Sequence, residues 1–562
     1  MVLKRFWKKR NLNRQPLEPD EIFLDARNLP EFNTQQFEGR LERPIKKQTF
    51  YLIGVVFLLV SFGFLGRAFA LQIIRGNDFA ARAESNSLRH TTIFPERGVI
   101  YDRNGEELAW NNPDRIYNSA PGLAHILGYV GFPKDQEVSE QKYDPKELIG
   151  RDGLERLYNQ FLGGEKGLRI EEVAVNGEVK SDHLLSAPKS GESIVTSIDA
   201  KLQTEVYSQI KKLAEERGFK GGAAIIMDVR TGEILTLTSY PEYDPNIMVN
   251  GTDSGKISYY LTDKSSPFLN RAISGLYTPG SIVKPFLAIG ALEEGTMDPN
   301  KIIVSTGQLT LPNPYDPSKP SIFRDWKALG ALDMRHAIAM SSDVYFYELG
   351  GGFGTQEGLG INRIDKYLRL FGFGQKTGIN LAHEAEGVIP TPEWKEEHFP
   401  GEPWRVGDTY HTSIGQYGFL VTPLQVVKAV GAIATGKLIE PTLLKVDSTS
   451  KPESKDLGLK EDHLNIVREG MRLSATIGTG KALNVSTVEV AAKTGTAELG
   501  VTKEDVNSWT VGFWPYRNPH YAFAIVMEKG SRSNLVGATA AMRGVLDWLA
   551  LYEPDYLADK WY

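Results

Sequence analysis

The hydrophobic and polar positions first set apart one long apolar run, residues 49–71, in which 50–65 carries no charge. A run of this length crosses a bilayer as a helix, and Arg67 near its far end reaches the interface with its long side chain. We therefore predict a transmembrane helix over 49–71. The alternatives are a buried core helix and a cleaved signal peptide with Ala68-Phe69-Ala70 as its cleavage site.

The basic residues close to this run are almost evenly divided between its two sides: Arg40, Arg43, Lys46 and Lys47 before it, and Arg75, Arg82 and Arg89 after it. A further basic cluster between residues 4 and 10 favours a cytosolic N-terminus, where the cluster either touches anionic membrane lipid or is a solvated basic tail. Residues 1–48, rich in Pro, Asn, Glu and Arg, are predicted to be a poorly ordered cytosolic tail. The catalytic part after the helix is then extracytoplasmic.

Residues 72–189 are polar and interrupted, with short strand-like runs and no internal repeat. Asp102-Arg103-Asn104-Gly105 is typical of a hairpin turn. Because no pattern of catalytic side chains occurs there, we interpret this part as a spacer or docking module.

From about residue 190 the pattern becomes that of an α+β domain. Apolar side chains recur at helical spacing at Leu202, Val206, Ile210 and Leu213. Two strand patterns then flank Arg230-Thr231-Gly232 and predict a hairpin.

The rest of this domain is predicted to be largely helical over 281–435 and to end in strands and a helix. The strands are expected near 488–496, 508–513 and 521–527, and the helix near 538–552. Strands on both sides of a helical insertion predict one antiparallel sheet backed by terminal helices. The active site is expected where this sheet meets the helical part.

The amino-acid composition limits the kinds of function that the chain can have. The 562 residues suffice for two or three domains, and the net charge of −6 gives no signature of nucleic-acid binding. The chain has no cysteine, which excludes disulfides, thiolate metal sites and cysteine catalysis. Its nine histidines form no His-Glu-x-x-His or comparable pair, so we predict no metal and no cofactor.

One stretch combines a turn with a candidate nucleophile. Pro279-Gly280 is a turn signal, and Ser281 follows where a helix is predicted to begin. Lys284 lies on the same helix face, one turn away. A serine beside a lysine that takes its proton is one way to form an acylating nucleophile. Four other Ser-x-x-Lys pairs are interpreted as chance: Ser139/Lys142, Ser186/Lys189, Ser208/Lys211 and Ser448/Lys451.

Two later motifs distinguish Ser281 from those pairs. Ser341-Ser342-Asp343 and Lys493-Thr494-Gly495-Thr496 follow it in the order found in penicillin-binding proteins and β-lactamases. Taken alone, Ser341 is more often a helix cap and Lys493 more often a solvated strand residue. The ordered set of three motifs favours a catalytic interpretation.

The chemistry of this set leads to a structural expectation. A lysine that acts as a base must be neutral, yet a free lysine titrates at about 10.4. A downward shift of roughly 3 units costs about 4 kcal/mol, more than the roughly 0.3–1 kcal/mol of a helix dipole. Burial and a second cation supply such a shift. We therefore predict that Lys284 and Lys493 converge near the Ser281 hydroxyl, with Ser341 relaying a proton.

The last motif predicts substrate contacts. On a strand, Thr494 and Thr496 present their hydroxyls on one face. Gly495 between them is expected to let a substrate backbone approach that edge. The backbone N–H groups of Ser281 and Thr496 are predicted to form an oxyanion hole.

From the membrane segment onward, most of the chain resembles the class B penicillin-binding proteins, and within them the elongation-type penicillin-binding protein 2 family. Beyond the three motifs, the resemblance includes Arg97-Gly-Val-Ile-Tyr-Asp-Arg-Asn-Gly105, Tyr240-Pro-Glu-Tyr-Asp-Pro-Asn246, Asn270-Arg-Ala272, Gly407-Asp-Thr409, Ile414-Gly-Gln416 and Thr422-Pro-Leu-Gln425. It implies a penicillin-binding, transpeptidase-like fold. Residues 72–189 would form the pedestal, or dimerisation-like, domain and 190–562 the transpeptidase domain.

The resemblance also implies the reaction, a peptidoglycan D,D-transpeptidation that serves cell elongation and shape. Ser281 would attack the penultimate D-Ala carbonyl of a donor stem peptide and release D-Ala, and an amine of a neighbouring stem would resolve the acyl-enzyme. Lys284 would be the general base and Ser341 the relay. The Lys493–Thr496 motif would hold the terminal carboxylate, and β-lactams would acylate Ser281.

The family's partners are a SEDS-type glycosyltransferase and scaffold proteins of the elongation machinery, reached through the pedestal and the membrane helix. The chain departs from the family at two positions. Asp343, kept as a substrate-binding candidate, stands where the wider superfamily usually has Asn. Tyr417 interrupts the usual Gly-Gln-Gly pattern after Gln416.

Two rival functions fit the same motifs. A D,D-carboxypeptidase or β-lactam-hydrolysing relative uses the same groups with water as acceptor, although the spacer and membrane anchor favour a transferase. A non-catalytic scaffold or β-lactam sensor would not need Ser281.

Overall fold

The computed structural model describes residues 46–140, 142–174, 178–251, 253–313, 316, 318–447, 452–500 and 502–558. Nearly all of the predicted cytosolic tail, 1–48, lies outside the described residues, as does its basic cluster.

The predicted membrane segment forms helix α1 (Lys47–Phe69), which continues through a π-helical turn (Ala70–Ile74) and is followed by α2 (Gly76–Ser87). The 28 residues from Lys47 to Ile74 span about 42 Å at the rise of an α-helix, more than the hydrocarbon core of a bilayer. No side chain of α1 is buried, which argues against a core helix. Within the described residues, this is the one helix long and apolar enough to cross a membrane, and we interpret it as a single-pass anchor.

Next come short elements, which form three small sheets. Their described bounds are β1 (Leu88–Ile93), β2 (Ile100–Tyr101), β3 (Glu107–Asn111), β4 (Arg115–Tyr117), α3 (Ala124–Leu127), β5 (Val130–Gly131), α4 (Asp135–Ser139), β6 (Ile149–Gly150), α5 (Gly153–Leu157), α6 (Asn159–Gly163), β7 (Gly167–Val173), β8 (Val179–Ser186) and β9 (Ile194–Val195). The strand orders are β1-β7-β8, β4-β3-β2-β9 and β5-β6. The predicted turn at 102–105 joins the antiparallel strands β2 and β3.

Longer elements follow, beginning with α7 (Ala200–Arg217), β10 (Gly221–Asp228), β11 (Ile234–Tyr240), α8 (Pro245–Asn250) and α9 (Ser254–Thr262). Asp199 caps α7 by accepting the Leu202 N–H, and Gly218 ends the helix in the left-handed conformation. The predicted helix and hairpin are thus both present.

The middle of this domain is mostly helical, with short strands inserted. It contains α10 (Lys284–Glu293), β12 (Ile303–Ser305), β13 (Gln308–Leu311), β14 (Ser321–Arg324), β15 (Gly330–Leu332), α11 (Met334–Met340), α12 (Asp343–Gly351), α13 (Gly360–Leu370), α14 (Pro392–His398), α15 (Val406–Ser413), α16 (Pro423–Thr435), β16 (Lys437–Ile439), β17 (Ser454–Asp456) and α17 (Glu461–Thr476). The pairs β12-β15 and β13-β14 interrupt the stretch that the sequence pattern predicted to be helical.

The chain closes with β18 (Ala491–Leu499), β19 (Asp505–Trp514), β20 (Tyr521–Ser531) and α18 (Ala538–Tyr552). These strands join the earlier hairpin in one antiparallel sheet of order β11-β10-β20-β19-β18. The predicted α+β fold with terminal helices on one sheet is confirmed.

Alternate residues of the central strands belong to two cores. On β10, Ala224 and Ile226 pack with α7 and α18, whereas Ala223 and Ile225 pack with the layer that contains α16. The sheet is therefore covered on both faces, and β18 is left at its edge beside the helical part.

Glu242, just after β11, joins the two parts that follow the membrane helix. Its carboxylate accepts the N–H groups of Gly122 (2.7 Å) and Ala124 (3.2 Å). Burial raises the pKa of Glu242 from its ordinary value of 4.5 to about 7, against the effect of these two donors. The folded state therefore binds this proton more tightly than the unfolded state does.

The stability of the protein should therefore fall as the pH rises through this range. Because the folded pKa lies above the unfolded one, the stabilisation is complete below about pH 4.5 and is lost as the pH passes about 7. The loss amounts to about 3 kcal/mol. Urea unfolding at pH 4.5–8 should show this decline in wild type relative to Glu242→Gln. Parallel curves would contradict it.

Candidate active site

Ser281 lies in a short 3₁₀ turn, Gly280–Val283, hereafter the Ser281 turn, which runs directly into α10 at Lys284. Gly280 has φ +57°, a left-handed conformation that glycine adopts without cost. The Lys284 N–H donates to the Ser281 carbonyl. In a 3₁₀ turn residues three apart are eclipsed, so Ser281 and Lys284 share a side, although the predicted α-helical start at Ser281 is wrong.

Lys284 is completely buried at the start of α10. Its Nζ donates to the Ser341 carbonyl at 2.8 Å and to Asp343 Oδ1 at 2.7 Å, and lies 3.5 Å from Ser341 Oγ. The Phe346 ring centroid is 5.4 Å from the same nitrogen. The two motifs are thus joined by direct contacts.

Ser341 ends α11 with φ +58°, a left-handed conformation uncommon for a residue other than glycine. The capping role belongs to its neighbour Ser342, whose Oγ accepts the Tyr345 N–H at the start of α12. The Ser341 hydroxyl is therefore left to face the two lysines.

Lys493 lies on the edge strand β18 and is completely buried rather than solvated. Its Nζ is 2.8 Å from Ser341 Oγ and donates to the Thr494 carbonyl at 2.7 Å. Burial, with the Lys284 charge next, holds the pKa of Lys493 well below its ordinary value, and the Asp343 charge opposes this shift.

Both amines therefore meet at one hydroxyl, that of Ser341. The sequence predicted that the two amines converge near the Ser281 hydroxyl, with Ser341 as the relay. Within the described part of the chain, no hydrogen bond links either amine to Ser281 Oγ. Ser341, whose backbone is left-handed, presents both its carbonyl and its hydroxyl to Lys284 Nζ, at 2.8 and 3.5 Å.

Asp343, predicted to bind substrate, forms an ion pair with Lys284. Burial raises the pKa of Asp343, and the Lys284 ammonium opposes that rise.

The three residues after Lys493 have different surroundings. Thr496 is exposed, and Thr494 Oγ1 donates to Thr479 Oγ1 at 2.6 Å. A Cβ added at Gly495 would lie 2.9 Å from both the Pro279 carbonyl oxygen and Ile282 Cγ2. The glycine is thus required by packing against Pro279 and the Ser281 turn, and its contact with a substrate backbone stays a prediction.

The sequence motifs missed two residues that touch this site. The buried Asp325 accepts the hydroxyls of Ser342 (2.7 Å) and Ser305 (2.9 Å) and also the Val344 N–H (3.2 Å). It fixes the turn that carries Ser341, yet it lies in the β14–β15 connection, outside every motif. Thr479 lies in the loop after α17 and contacts Thr494. The one sequence feature that marked this position was the pair of glycines that flank it.

Among the described residues, no group of three histidine, aspartate or glutamate side chains is arranged to hold a metal ion. The site thus contains a half-buried serine, Ser281, in the turn that runs into a buried lysine, and the amine of that lysine shares the Ser341 hydroxyl with the buried amine of Lys493. Such a set suits acyl transfer through a serine ester.

Comparison with known families agrees with this chemistry. The family model of the penicillin-binding protein transpeptidase domain matches residues 222–546, and that of the penicillin-binding protein dimerisation domain matches 111–196. The peptidoglycan D,D-transpeptidase MrdA of Haemophilus influenzae is 34% identical over 475 residues, which cover 77% of this chain and 69% of that protein.

Two solved structures are similar in fold. The penicillin-binding protein 2 of Helicobacter pylori, in complex with MreC, superposes with a TM-score of 0.70 at 28% identity, covering 82% of this chain and 99% of that chain. A chain from a peptidoglycan synthase complex, whose structure concerns the coordination of polymerization and crosslinking, gives 0.70 at 26% identity, with 89% and 97% covered.

This chain therefore belongs to the penicillin-binding protein transpeptidases, in their elongation-type penicillin-binding protein 2 branch. The resemblance drawn from the motifs is confirmed.

Proposed function

We propose that Ser281 is the nucleophile of this enzyme and that Lys284 takes its proton. The observation that carries the proposal is the continuous contact from Lys284 through the Ser341 hydroxyl to Lys493. This series of contacts begins at Lys284, one 3₁₀ turn after Ser281 in the chain. These contacts join the proposed base and relay, and the turn that carries Ser281 leads directly into the base.

The two lysines have different roles in the proposed proton transfer. Asp343 Oδ1 lies 2.7 Å from Lys284 Nζ, whereas Lys493 has no carboxylate among its hydrogen-bond partners within the described residues, and burial holds the pKa of Lys493 well below its ordinary value. A proton passed from Lys284 through Ser341 to Lys493 leaves Lys284 free to deprotonate Ser281. The proton held by Lys493 then passes to the departing D-Ala amine, which completes the first half-reaction.

The edge strand β18 supplies the remaining groups. The Ser281 turn packs against it, since a Cβ on Gly280 would lie 3.2 Å from the Thr496 carbonyl oxygen. The N–H groups of Ser281 and Thr496 would stabilise the tetrahedral oxyanion. The hydroxyls of Thr494 and Thr496, with Lys493, would hold the donor's terminal carboxylate.

The protein is a serine-type D,D-transpeptidase that crosslinks the stem peptides of peptidoglycan during cell elongation and binds penicillin. In the scheme proposed here, a donor stem acylates Ser281 and an amine of a neighbouring stem resolves the ester. β-Lactams would stop the reaction by acylating the same serine.

The apolar helix supports a single-pass placement of the chain in the cell membrane. We infer that residues 1–48 lie in the cytosol, that 49–71 cross the membrane, and that the pedestal (72–189) and transpeptidase domain (190–562) lie outside. The complex of the Helicobacter pylori relative with MreC supports a scaffold partner. The synthase complex, which coordinates polymerization and crosslinking, supports a polymerising partner, and we propose that this partner is a glycosyltransferase of the SEDS type.

Product analysis separates a transferase from a hydrolase. The full-length protein, supplied with lipid-linked peptidoglycan precursor and its glycosyltransferase partner, should form dimeric muropeptides. Release of D-Ala without any dimers would favour a D,D-carboxypeptidase. A Ser281→Ala strain with unchanged cell shape and growth would favour a non-catalytic scaffold or sensor.

A further inference from the structure

Tyr417, the residue that departs from the family's Gly-Gln-Gly pattern, has φ +66°. Its neighbours Gly415 and Gly418 are left-handed as well, at +74° and +78°. Glycine adopts this region freely, whereas a tyrosine there is strained unless its surroundings hold it. The loop thus retains the backbone of a glycine-rich turn with a large aromatic side chain inside it.

Aromatic packing holds that side chain. The Tyr417 ring meets Trp394 edge-on, with centroids 5.8 Å apart, and meets Trp404 at the same distance on another side. Lys395 Nζ lies 5.7 Å from the ring centroid. Edge-to-face pairs and a cation near a ring are both favourable arrangements. The ring is therefore clamped by α14 and by the segment before α15.

The same loop touches the Ser281 turn. The Gly280 N–H donates to the Gly415 carbonyl at 2.9 Å, and a Cβ on Gly415 would lie 2.2 Å from the Gly280 carbonyl oxygen. Any shift of the loop at Gly415 is thus passed to Gly280 and so to the neighbouring Ser281.

We propose that Tyr417 is a positioning residue for the nucleophile: its clamped ring fixes the 415–418 loop, which in turn fixes the Ser281 turn. This inference rests on the proposed role of Ser281. The two indole contacts lie on the Tyr417 ring, whereas the Tyr417 hydroxyl interacts with Lys395 and Asp408. We assign the effect to the ring, because the indoles hold it on α14 and on the segment before α15.

Two variants of the full-length protein separate ring from backbone. Tyr417→Gly keeps the left-handed turn and removes the ring, whereas Tyr417→Phe keeps the ring and removes the hydroxyl. Stopped-flow acylation by fluorescent penicillin gives the acylation rate constant and the dissociation constant of the encounter complex separately. We expect Tyr417→Gly to lower the rate constant about tenfold with the dissociation constant unchanged, as slight misplacement of a reacting group does. Tyr417→Phe should restore the rate.

His383→Gly is the matched control, since His383 is also left-handed, at φ +65°, but lies outside this loop. It should leave acylation unchanged, and thermal melting should show every variant folded. Wild-type acylation in Tyr417→Gly, or an equal loss in Tyr417→Phe, would overturn the inference. Wild-type labelling at a serine other than Ser281 would instead overturn the proposed function.

Discussion

Fluorescent penicillin should label the wild-type protein and leave Ser281→Ala unlabelled. The loss should be complete, because the covalent bond forms at the hydroxyl that the substitution removes. The change should not disturb folding, since Ser281 is half-buried and no hydrogen bond of its hydroxyl occurs within the described residues. Gel fluorescence after a timed exposure measures the result.

Ser208→Ala is the control for this experiment. Ser208 and Lys211 have the same spacing on α7, but Ser208 Oγ donates to the Thr204 carbonyl and Lys211 is half-exposed. This variant should label like wild type. Labelling that survives in Ser281→Ala would show that another residue is the nucleophile.

Lys284→Met should slow acylation by roughly 10²–10⁴-fold, the usual contribution of a general base. Methionine retains the volume of the buried chain but cannot accept the Ser281 proton. It also breaks the contact through which Lys284 reaches Ser341 and Lys493. The acylation rate constant, measured with saturating fluorescent penicillin, reports the effect.

Lys428→Met provides a close structural match. Lys428 is also buried, and its Nζ donates to a carbonyl at 2.9 Å and to the Glu440 carboxylate at 2.7 Å, much as Lys284 does with Ser341 and Asp343. Both substitutions leave a carboxylate without its lysine, so both should lower the melting temperature. Equal losses of acylation in the two variants would show that Lys284 acts through stability alone.

The sequence predicted which side chains form the site, but not every contact between them. Ser281, Lys284, Ser341 and Lys493 were recognised because each belongs to a short motif and the motifs occur in a fixed order. Spacing alone, however, does not specify which hydroxyl two distant amines share. That depends on the left-handed backbone of Ser341, for which its side chain gives no signal.

Tertiary packing explains the other features of the structure that the sequence did not predict. Asp325 holds the Ser341 turn from a short strand connection, and a single carboxylate in a loop has no periodicity to reveal it. Gly495 was interpreted as a substrate position, and its close packing against Pro279 and Ile282 was not predicted from the motif. The strands β12 to β15 contain three or four residues each, too few for an alternating pattern.

The fold was predictable where apolar periodicity was long. The membrane helix, α7 and the strands β18 to β20 each present a sustained run of apolar or alternating positions, and each formed close to the expected bounds. The arrangement of the strands followed from the rule that strands flanking a helical insertion join one sheet.

Peptide mapping of wild-type protein after brief exposure to penicillin tests the central claim most directly. Mass spectrometry should place the added penicilloyl mass on the peptide that contains Ser281, and fragmentation should assign it to that residue. An adduct on Ser341, or on any other side chain, would contradict the account.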